Sequence, residues 1–384
     1  MKSPMKIVYI SQIFSLDNMA GVEGKLKAES RYMKKHGVET IVVTNSKDEV
    51  CGEIFFVSLD KRLGSPAFLG MRSRMWKLWL ISKVVDLDAC DVIILRYPLM
   101  DFSSLWFSRK YGHKTITEHH GKELEEIGNY RIHKIFKIGQ YGFEKYLAPL
   151  FFRNIAGMVG ISDDLLEYEA KRTGFEGKSM RFANGIDPDD FPRRGVPELR
   201  DEFRMLFIAS NYSAWHGLDR LLESLAEYSG AWSIRLTLIG VVNDSFDALV
   251  RKAQDNSKII VDVVGKKYGD ELDPYFAESH MACDSLAMHR LSMVESSTLK
   301  SKEYVARSMP FLFSAPDKDL ESVREFLFDA GSDENRIDMD AVIEHYRSID
   351  HQKMRDVMDV CARQVLDWDV KVANLKRFVE EAVR

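Results

Sequence analysis

The sequence predicts an α/β protein made of two doubly wound parallel-sheet domains. Three observations support this fold class. Short β-branched runs alternate with longer helical patterns from residue 6 onward, a proline-rich charged stretch interrupts the alternation once, and the pattern then restarts. The 384 residues are enough for two domains of ordinary size.

The N-terminal half contains a series of strand-like runs separated mostly by helical patterns. The first helix is predicted over 23–37 and ends at a glycine. The strands are predicted over 6–11, 38–44, 91–97, 114–119, 157–162 and 178–183. Because a strand that is followed by a helix and a second strand returns in the same direction, we expect a parallel sheet with helices on both faces.

The stretch "NGIDPDDFPRRGVPELRDE" (184–202) separates the two halves. It holds three prolines and many charged residues, which is typical of a linker. We set the N-terminal domain at 1–185, the linker at 186–202 and the C-terminal domain at 203–365. In the second half, strands are predicted over 204–210, 234–240, 258–265, 284–289 and 310–315, and helices over 218–229, 246–254 and 271–280.

The composition argues against several classes of protein. The net charge of −5 gives no case for nucleic-acid binding. The four cysteines are far apart and form no CxxC pair, so we expect neither a zinc site nor a disulfide framework, and a cytoplasmic location with reduced thiols. No signal peptide and no apolar run long enough to span a membrane are found.

The stretch "VESSTLKSKEYVARSMPFL" (294–312) places Glu295 and Glu303 around a predicted helix start. Eight positions correspond to about 80° around a helix, so we do not expect the two carboxylates on one face. The residues between them include good N-cap types, Ser296, Ser297 and Thr298. The helix is therefore predicted to begin near Lys300 or Ser301.

A helix start that follows a parallel strand presents free N–H groups and a positive dipole end. Such a site favours an anion, typically a phosphate, and Lys300 and Lys302 add positive charge there. Glu303, in the first turn, suits neutral sugar hydroxyls, and Glu295 can accept from a different hydroxyl of the same ligand. The alternative is that Glu303 only complements the helix dipole and Glu295 is solvated.

These features resemble those of retaining GT-B glycosyltransferases in glycosyltransferase family 4. That family carries a Glu-x7-Glu motif, which Glu295 and Glu303 match. Further segments resemble family landmarks in the same order along the chain: "GISDDLLEY" (160–168), "FANGIDPDDF" (182–191), "LDRLLESL" (218–225), "CDSLAMHR" (283–290), "KEYVARSMP" (302–310) and "LDWDVKVANLKRFVE" (366–380). The resemblance therefore spans nearly the whole chain.

The resemblance implies a GT-B fold, in which two Rossmann-like domains face a central cleft. Glu295 would bind the donor sugar and Glu303 the ribose, while backbone N–H groups at Thr298 and Leu299 hold the diphosphate. The backbone near Gly240 and Gly265 would bind the base. The C-terminal helix, about 366–384, is expected to pack back on the N-terminal domain.

One departure from the family concerns the cations that neutralise the diphosphate. The family has an Arg and a Lys after the first strand of the C-terminal domain, and Asn211 and His216 occupy about those places here. The candidates to replace them are Lys300, His216 in its charged form and Arg290. Arg290 is preferred because it is predicted to follow a strand directly; the alternative for it is a surface ion pair.

The N-terminal half offers two further candidate sites. Gly21 and Gly24 in "MAGVEGK" (19–25) resemble the family's glycine loop, where the backbone approaches a ligand; a simple strand–helix turn is the alternative. In "TITEHHGKELEE" (115–126), His120 matches the family's site histidine best, and His119 is the alternative register. Adjacent strand residues point to opposite faces, so the two histidines are not expected to share a metal.

Two basic amphipathic stretches, 61–83 and 131–153, combine Lys and Arg with aromatic residues. They suit either an anionic membrane surface or a core-facing helix with a basic outer face. Three Asp-x-Asp triplets, which begin at Asp187, Asp338 and Asp367, are expected to be helix caps or solvated residues and not metal sites.

Together these observations predict a metal-independent, retaining hexosyltransferase without a cofactor. The donor is a nucleoside-diphosphate sugar that leaves UDP or GDP, and the acceptor is a glycan or lipid-linked glycan in surface polysaccharide or glycoconjugate biosynthesis. The enzyme is expected in the cytoplasm, peripheral on the inner face of the membrane. The alternatives are a nucleotide-sugar epimerase on the same fold and a non-catalytic nucleotide- or glycan-binding relative.

Overall fold

The computed structural model describes residues 4–11, 20–44, 50–51, 54–58, 76–127 and 134–383. The chain divides into two compact units, of which the first consists of Met1–Ala183 with Trp368–Arg384 and the second of Asn184–Asp367. The proline-rich stretch that we predicted as a linker thus lies in the second unit.

Within the described residues, the first unit is built on an eight-stranded sheet. Its strands are β1 (Met5–Ile10), β2 (Val38–Thr44), β3 (Val50–Cys51), β4 (Ile54–Ser58), β5 (Val92–Arg96), β6 (Thr115–His119), β7 (Gly157–Gly160) and β8 (Lys178–Arg181). The spatial order is β3-β4-β2-β1-β5-β6-β7-β8, and only β3 runs antiparallel to its neighbour. The short strands β3 and β4 were not predicted from the sequence.

Helices cover the sheet of the first unit. They are α1 (Ala20–Lys35), α2 (Lys77–Val84), α3 (Ser104–Tyr111), α4 (Glu123–Glu126), α5 (Lys134–Phe152) and α6 (Asp163–Thr173). Alternate strand residues enter two separate cores: Ile7 and Tyr9 lie in one, and Val8 and Ile10 lie in the other. Both faces of the sheet are therefore buried, as expected for a parallel sheet.

The second unit contains a six-stranded parallel sheet. Its strands are β9 (Glu202–Asn211), β10 (Ser233–Val241), β11 (Ile259–Gly265), β12 (Met281–Cys283), β13 (Phe311–Phe313) and β14 (Phe328–Asp329), in the order β11-β10-β9-β12-β13-β14. Its helices are α7 (Leu218–Ala226), α8 (Asp247–Gln254), α9 (Asp273–Glu278), α10 (Leu299–Ala306), α11 (Met339–Ser348) and α12 (His351–Cys361). The predicted α/β fold class is confirmed.

The strand predicted over 284–289 is wrong. The chain leaves the sheet after Cys283, and a 3-10 turn follows at Met288–Leu291. The N–H of Leu286 donates to the carbonyl of His216 at 2.9 Å, and that of Ala287 donates to the carbonyl of Trp215 at 3.1 Å. These hydrogen bonds to a neighbouring turn replace the sheet ladder, so the segment forms a loop.

The last helix, α13 (Trp368–Ala382), belongs to the first unit and packs on α1. Val372 and Val379 are fully buried in the same core as Ile7. At the helix start, Asp369 accepts from His36 Nε2 at 2.9 Å. The last helix of the chain thus stabilises the first sheet, although the whole second unit lies between them in sequence.

Candidate functional site

Helix α10 begins at Leu299, one residue before the predicted start, and its cap is Thr298, one of the three residues that the sequence indicated as N-cap types. Thr298 Oγ1 accepts from the N–H of Ser301 at 3.1 Å, and the same hydroxyl donates to Asp284 Oδ1 at 2.8 Å. Asp284 directly follows β12, so the cap fixes the helix start at the carboxyl end of that strand. The remaining N–H groups of the first turn lack helical partners, which makes this end a suitable anion site.

The loop before α10 is held by Asn184. Its side-chain amide donates to the carbonyl of Ser297 at 2.5 Å, and its own N–H donates to Ser297 Oγ at 3.2 Å. Asn184 is buried. The "NGID" segment, which the sequence offered only as a family landmark, therefore shapes the loop that leads into α10.

The two motif glutamates lie on either side of this helix start, and each has a basic partner. Glu295 Oε1 lies 2.7 Å from Lys318 Nζ, and Glu303 Oε1 accepts from Arg307 Nε at 2.8 Å. Burial raises the pKa of Glu303, whereas the charge of Arg307 lowers it. Glu295 precedes the helix and Glu303 lies within it, so the prediction that they do not form a pair on one helix face is confirmed.

Lys300 and Lys302 differ in their surroundings. The Lys300 side chain is partly exposed, but its Nζ is buried; Nζ lies 3.4 Å from Asp284 Oδ1 and 5.4 Å from the centre of the Phe207 ring. Burial lowers the pKa of Lys300, and Asp284 opposes that shift. Lys302 is fully buried and forms an ion pair with Asp317, so the expectation that it adds charge to the helix start is wrong.

His216 is not a cation at neutral pH. Burial and the nearby charge of Lys300 lower its pKa to about 3, because both penalise the imidazolium. Its Nδ1 accepts from the N–H of Ser213 at 2.9 Å, which closes the 3-10 turn Ala214–His216. The suggestion that a charged His216 replaces the missing clamp is therefore wrong.

Arg290 lies in the 3-10 turn after β12 and does not follow the strand directly, as had been predicted. It pairs with Glu334 at 2.5 Å and with Asp219 at 2.9 Å, and it donates to the carbonyl of Ala214 at 2.7 Å. Two carboxylates thus offset its charge. Arg290 therefore has the ion-paired surroundings that the sequence analysis gave as the alternative to a phosphate contact.

The backbone residues expected near the base lie at strand ends of the same sheet. Gly240, in a register shift of β10, has φ +127, and a Cβ there would lie 1.6 Å from the carbonyl oxygen of Ala209. Gly265 ends β11 with φ +84. Asn211 ends β9, and its side-chain oxygen accepts from Asn243 at 3.1 Å. These ends and the start of α10 all belong to the carboxyl edge of one parallel sheet.

In the first unit, the two glycines of the predicted loop are helical. Helix α1 begins at Ala20, so Gly21 and Gly24 lie in its first turns, and Met19 lies outside the described residues. A Cβ at Gly24 would meet no atom within 4 Å. Packing against the described residues therefore does not require glycine at this position.

The two histidines that follow Glu118 have opposite surroundings. His119 is fully buried; it stacks on Tyr97 with ring centres 4.7 Å apart, and burial lowers its pKa to about 4. His120 is partly exposed, and its Nε2 lies 3.2 Å from Glu118 Oε2. Only His120 of the pair is therefore open to a ligand. The prediction that adjacent histidines point apart is confirmed.

Glu118 was missed as a functional candidate. It is fully buried and lies 3.0 Å from Lys25 Nζ, and burial raises its pKa to about 8. A usable signal existed, since Glu118 is in phase with Ile116 on β6 and so points to a buried face.

Two of the three Asp-x-Asp triplets contain a helix cap, and the third contains an ion pair. Asp187 and Asp338 cap short helices, and Asp369 pairs with Lys35 at 3.1 Å. Within the described ranges, no group of three or more His, Cys, Asp or Glu side chains could hold a metal ion. Nor does that part of the chain contain a helix long and apolar enough to cross a bilayer.

Comparison with known proteins identifies the fold. No protein-family model and no curated protein matches the chain. A glycosyltransferase from Rickettsia africae ESF-5 has a similar structure, with a TM-score of 0.68, 13% identity and 99% coverage of both chains. Sucrose-phosphate synthase from Thermosynechococcus elongatus gives a TM-score of 0.66 and 12% identity over 98% of both chains. HepE from Anabaena, solved in complex with UDP and glucose, gives a TM-score of 0.60 and 14% identity. The match covers 98% of this chain and 100% of the HepE chain. The chain therefore has the two-domain α/β fold of GT-B glycosyltransferases.

Proposed function

We propose that the protein is a retaining glycosyltransferase that uses a nucleoside-diphosphate sugar. The observation that carries the proposal is the start of α10, where Thr298 caps the helix beside the carboxyl end of β12 with Glu295 and Glu303 on either side. This arrangement combines an anion site with two groups that accept from hydroxyls. A sugar, a diphosphate and a ribose in series present these chemical groups in that order.

The donor is assigned to the second unit. N–H groups at Thr298 and Leu299 hold the diphosphate, Glu303 binds the ribose and Glu295 binds the transferred sugar. Arg307 fixes the Glu303 side chain by holding one of its oxygens. Support comes from HepE, a protein of similar fold that was solved with UDP-glucose.

Lys300 is the cation that we assign to the diphosphate. His216 is neutral at physiological pH, and Arg290 is offset by Asp219 and Glu334. Lys300 lies in the first turn of α10, and the carboxylate paired with it is that of Asp284. A positive charge at this place stabilises the negative charge that develops on the leaving diphosphate.

We propose that the reaction is a front-face displacement. The acceptor hydroxyl oxygen bonds to the anomeric carbon as the bond from that carbon to the β-phosphate oxygen breaks, and the same phosphate oxygen takes the hydroxyl proton. The protein then contributes positioning and electrostatic stabilisation. The helix dipole and Lys300 supply positive charge, so the proposal requires neither a metal nor a cofactor.

The acceptor is assigned to the first unit, and helix α5 suggests that it is lipid-linked. The outer face of α5 exposes apolar and basic side chains, namely Ile138, Tyr141, Lys145, Tyr146 and Leu150. Its one acidic residue, Glu144, is buried and accepts from Tyr97 at 2.8 Å. A helix that buries one apolar face and exposes a second apolar face with a lysine on it suits an anionic membrane surface.

The other basic stretch, 61–83, is described only from Trp76 onward. Residues 61–75 of this stretch and residues 131–133 of the stretch that contains α5 lie outside the described residues. Four aromatic side chains in or after this stretch are each at least 38% exposed: Trp76 and Trp79 within it, and Phe102 and Trp106 further along the chain. Exposed tryptophans beside basic residues are typical of membrane-interface contacts. We therefore propose peripheral membrane binding and a role in surface glycoconjugate synthesis on the cytoplasmic side.

A donor panel tests the proposed function. The purified protein is incubated with UDP-, GDP-, ADP- and dTDP-sugars, with and without lipid-linked and soluble glycan acceptors, and released nucleotide is measured. We expect UDP or GDP release that depends on the acceptor. Conversion of the sugar without nucleotide release would indicate an epimerase, and donor binding without turnover would indicate a non-catalytic relative; either result overturns the proposal.

A further inference from the structure

The carboxylate of Glu118 is buried among polar groups from separate elements, two of which donate hydrogen bonds to it. Tyr9 on β1 donates its hydroxyl to Oε2, and Lys25 on α1 lies 3.0 Å from Oε1. His120, just beyond β6, brings Nε2 to within 3.2 Å of Oε2. Since strands β1 and β6 and helix α1 are packed in one core, this arrangement has a fixed geometry.

The sides of the His120 ring are not equivalent. Nε2 is buried 3.2 Å from Glu118 Oε2, close enough to pair but without hydrogen-bond geometry in this conformation, so the 17% of the side chain that remains exposed lies on its other atoms. Burial and the charges of Arg96 and Lys25 lower the pKa of His120, which keeps the ring neutral. A neutral imidazole has one N–H and one lone pair, and the partner of one nitrogen decides which is which.

We propose that Glu118 is a positioning residue whose protonation state selects the tautomer of His120. As a carboxylate, Glu118 can only accept at Nε2, so the proton is on Nε2 and Nδ1 carries the lone pair. As a carboxylic acid, it can donate to Nε2, and the proton moves to Nδ1. The carboxylate state is the competent one, because Nδ1 then accepts from a hydroxyl of the transferred sugar and positions it, while the acceptor proton still goes to the β-phosphate oxygen.

The charged groups around the pair set the pH at which the switch occurs. Tyr9 from β1 and Lys25 from α1 contact Glu118, and the charges of Lys25 and of Arg96 from β5 act on His120. Glu29 acts on Lys25, whose own pKa burial lowers to about 8. Burial raises the pKa of Glu118 to about 8, and the donors Tyr9 and Lys25 favour its charged form. The switch is therefore expected near neutral to mildly alkaline pH, with the competent tautomer at the higher pH.

Nitrogen NMR of the histidine rings in the full-length protein tests this inference. Selective ¹⁵N-histidine labelling gives the tautomer of each ring, and His120→Gln identifies the His120 signals. Between about pH 6 and about pH 10, we expect His120 to change from the Nδ1–H to the Nε2–H form. His119, which faces the opposite core, is the internal control and should keep its tautomer.

Glu118→Gln removes the switch while preserving the shape of the side chain. Lys25 occupies the Oε1 side and donates when charged, so the glutamine oxygen is expected there and its NH₂ group faces His120. His120 should then remain Nδ1–H throughout the titration. Tyr9→Phe removes a donor from the carboxylate but spares the His120 contact, and should move the transition upward by about one pH unit.

The inference is overturned if His120 keeps one tautomer across the titration, or if Glu118→Gln titrates as the unchanged protein does. The inference rests on the proposed function in one respect, the identity of the hydroxyl that donates to His120 Nδ1. In a turnover assay, the alkaline rise in kcat should disappear in Glu118→Gln. A tautomer switch in a protein without transferase activity would contradict the proposed function and leave the role of Glu118 intact.

Discussion

Lys300 Nζ lies 3.4 Å from Asp284 Oδ1, and the same oxygen accepts from the hydroxyl that caps α10. The buried aspartate therefore links the end of β12, the helix cap and the cation into one unit. Asp284 places the ammonium group at the helix start, where a diphosphate is proposed to bind. This relationship leads to a first prediction about charge.

Lys300→Ala should weaken binding of UDP or GDP by about tenfold to a hundredfold, because a charge-assisted contact to phosphate is lost. Isothermal titration calorimetry with the nucleotide measures the loss. Lys252→Ala, an exposed lysine on α8, is the control and should bind normally. Since Lys300→Ala leaves the buried Asp284 carboxylate with the Thr298 hydroxyl but without Lys300, the double variant Asp284→Asn/Lys300→Ala should regain stability without regaining affinity. Unchanged affinity in Lys300→Ala would remove this residue from the phosphate site.

Glu303→Ala should weaken nucleotide binding by about tenfold, the cost of one hydrogen-bonded contact to the ribose. The loss should vanish with a 2′,3′-dideoxy nucleoside diphosphate, which lacks the hydroxyls that Glu303 is proposed to accept from. Comparing both ligands in calorimetry separates a ribose contact from a general disturbance of α10. Glu321→Ala, an exposed glutamate elsewhere in the second unit, is the matched control. An equal loss for both ligands would contradict the ribose assignment.

His120→Ala should reduce kcat by about a hundredfold and change donor affinity little, because His120 is assigned to the transferred group and not to the nucleotide. Steady-state kinetics and calorimetry on the same preparation give both quantities. His119→Ala should instead lower the melting temperature, since His119 is fully buried and stacked on Tyr97. Normal turnover in His120→Ala would move the role away from this residue.

Local sequence patterns predicted a helix start close to that of α10. The surroundings of the charged residues depend on long-range contacts and were not predicted. Ser296, Ser297 and Thr298 could be recognised as cap candidates because a cap acts on N–H groups within its own turn, and the structure shows that Thr298 is the cap. Arg290 is paired with Glu334, 44 positions away in the sequence, and Glu118 is paired with Lys25, 93 positions away. No local pattern contains such partners, so the cations were the part of the site that the sequence predicted least well.

The strand error has the same origin. The run 284–289 has strand-like composition, but the hydrogen bonds of Leu286 and Ala287 go to the turn at 215–216. Composition indicates that a segment can pair, and it does not specify the partner. The alternation of strands and helices, by contrast, depends on local periodicity, which explains why the fold class was predicted correctly.

Two glycine substitutions should have opposite effects on stability. Gly240→Ala should lower the free energy of unfolding by about 2 to 4 kcal/mol, because the new Cβ would overlap the carbonyl of Ala209 at an unfavourable φ. Gly24→Ala lies in a helix and its Cβ meets no described atom within 4 Å, so it should stabilise by about 0.5 to 1 kcal/mol. Urea titration measures both. A Gly24→Ala protein that is more stable but less active would indicate that a ligand approaches α1 at this position.

The exposed face of α5 gives the last prediction. The double variant Ile138→Glu/Tyr146→Glu places negative charge on a face that is otherwise apolar and basic, at positions 63% and 65% exposed, and should abolish flotation with anionic liposomes. Both side chains are in solvent, so the fold should be preserved. Val360→Glu, at an exposed position on α12 of the second unit, should float as the unchanged protein does. Binding of the unchanged protein should fall as salt rises, because part of the attraction is between basic side chains and lipid headgroups. Absence of binding, or binding that the double variant retains, would show that this face does not contact the membrane.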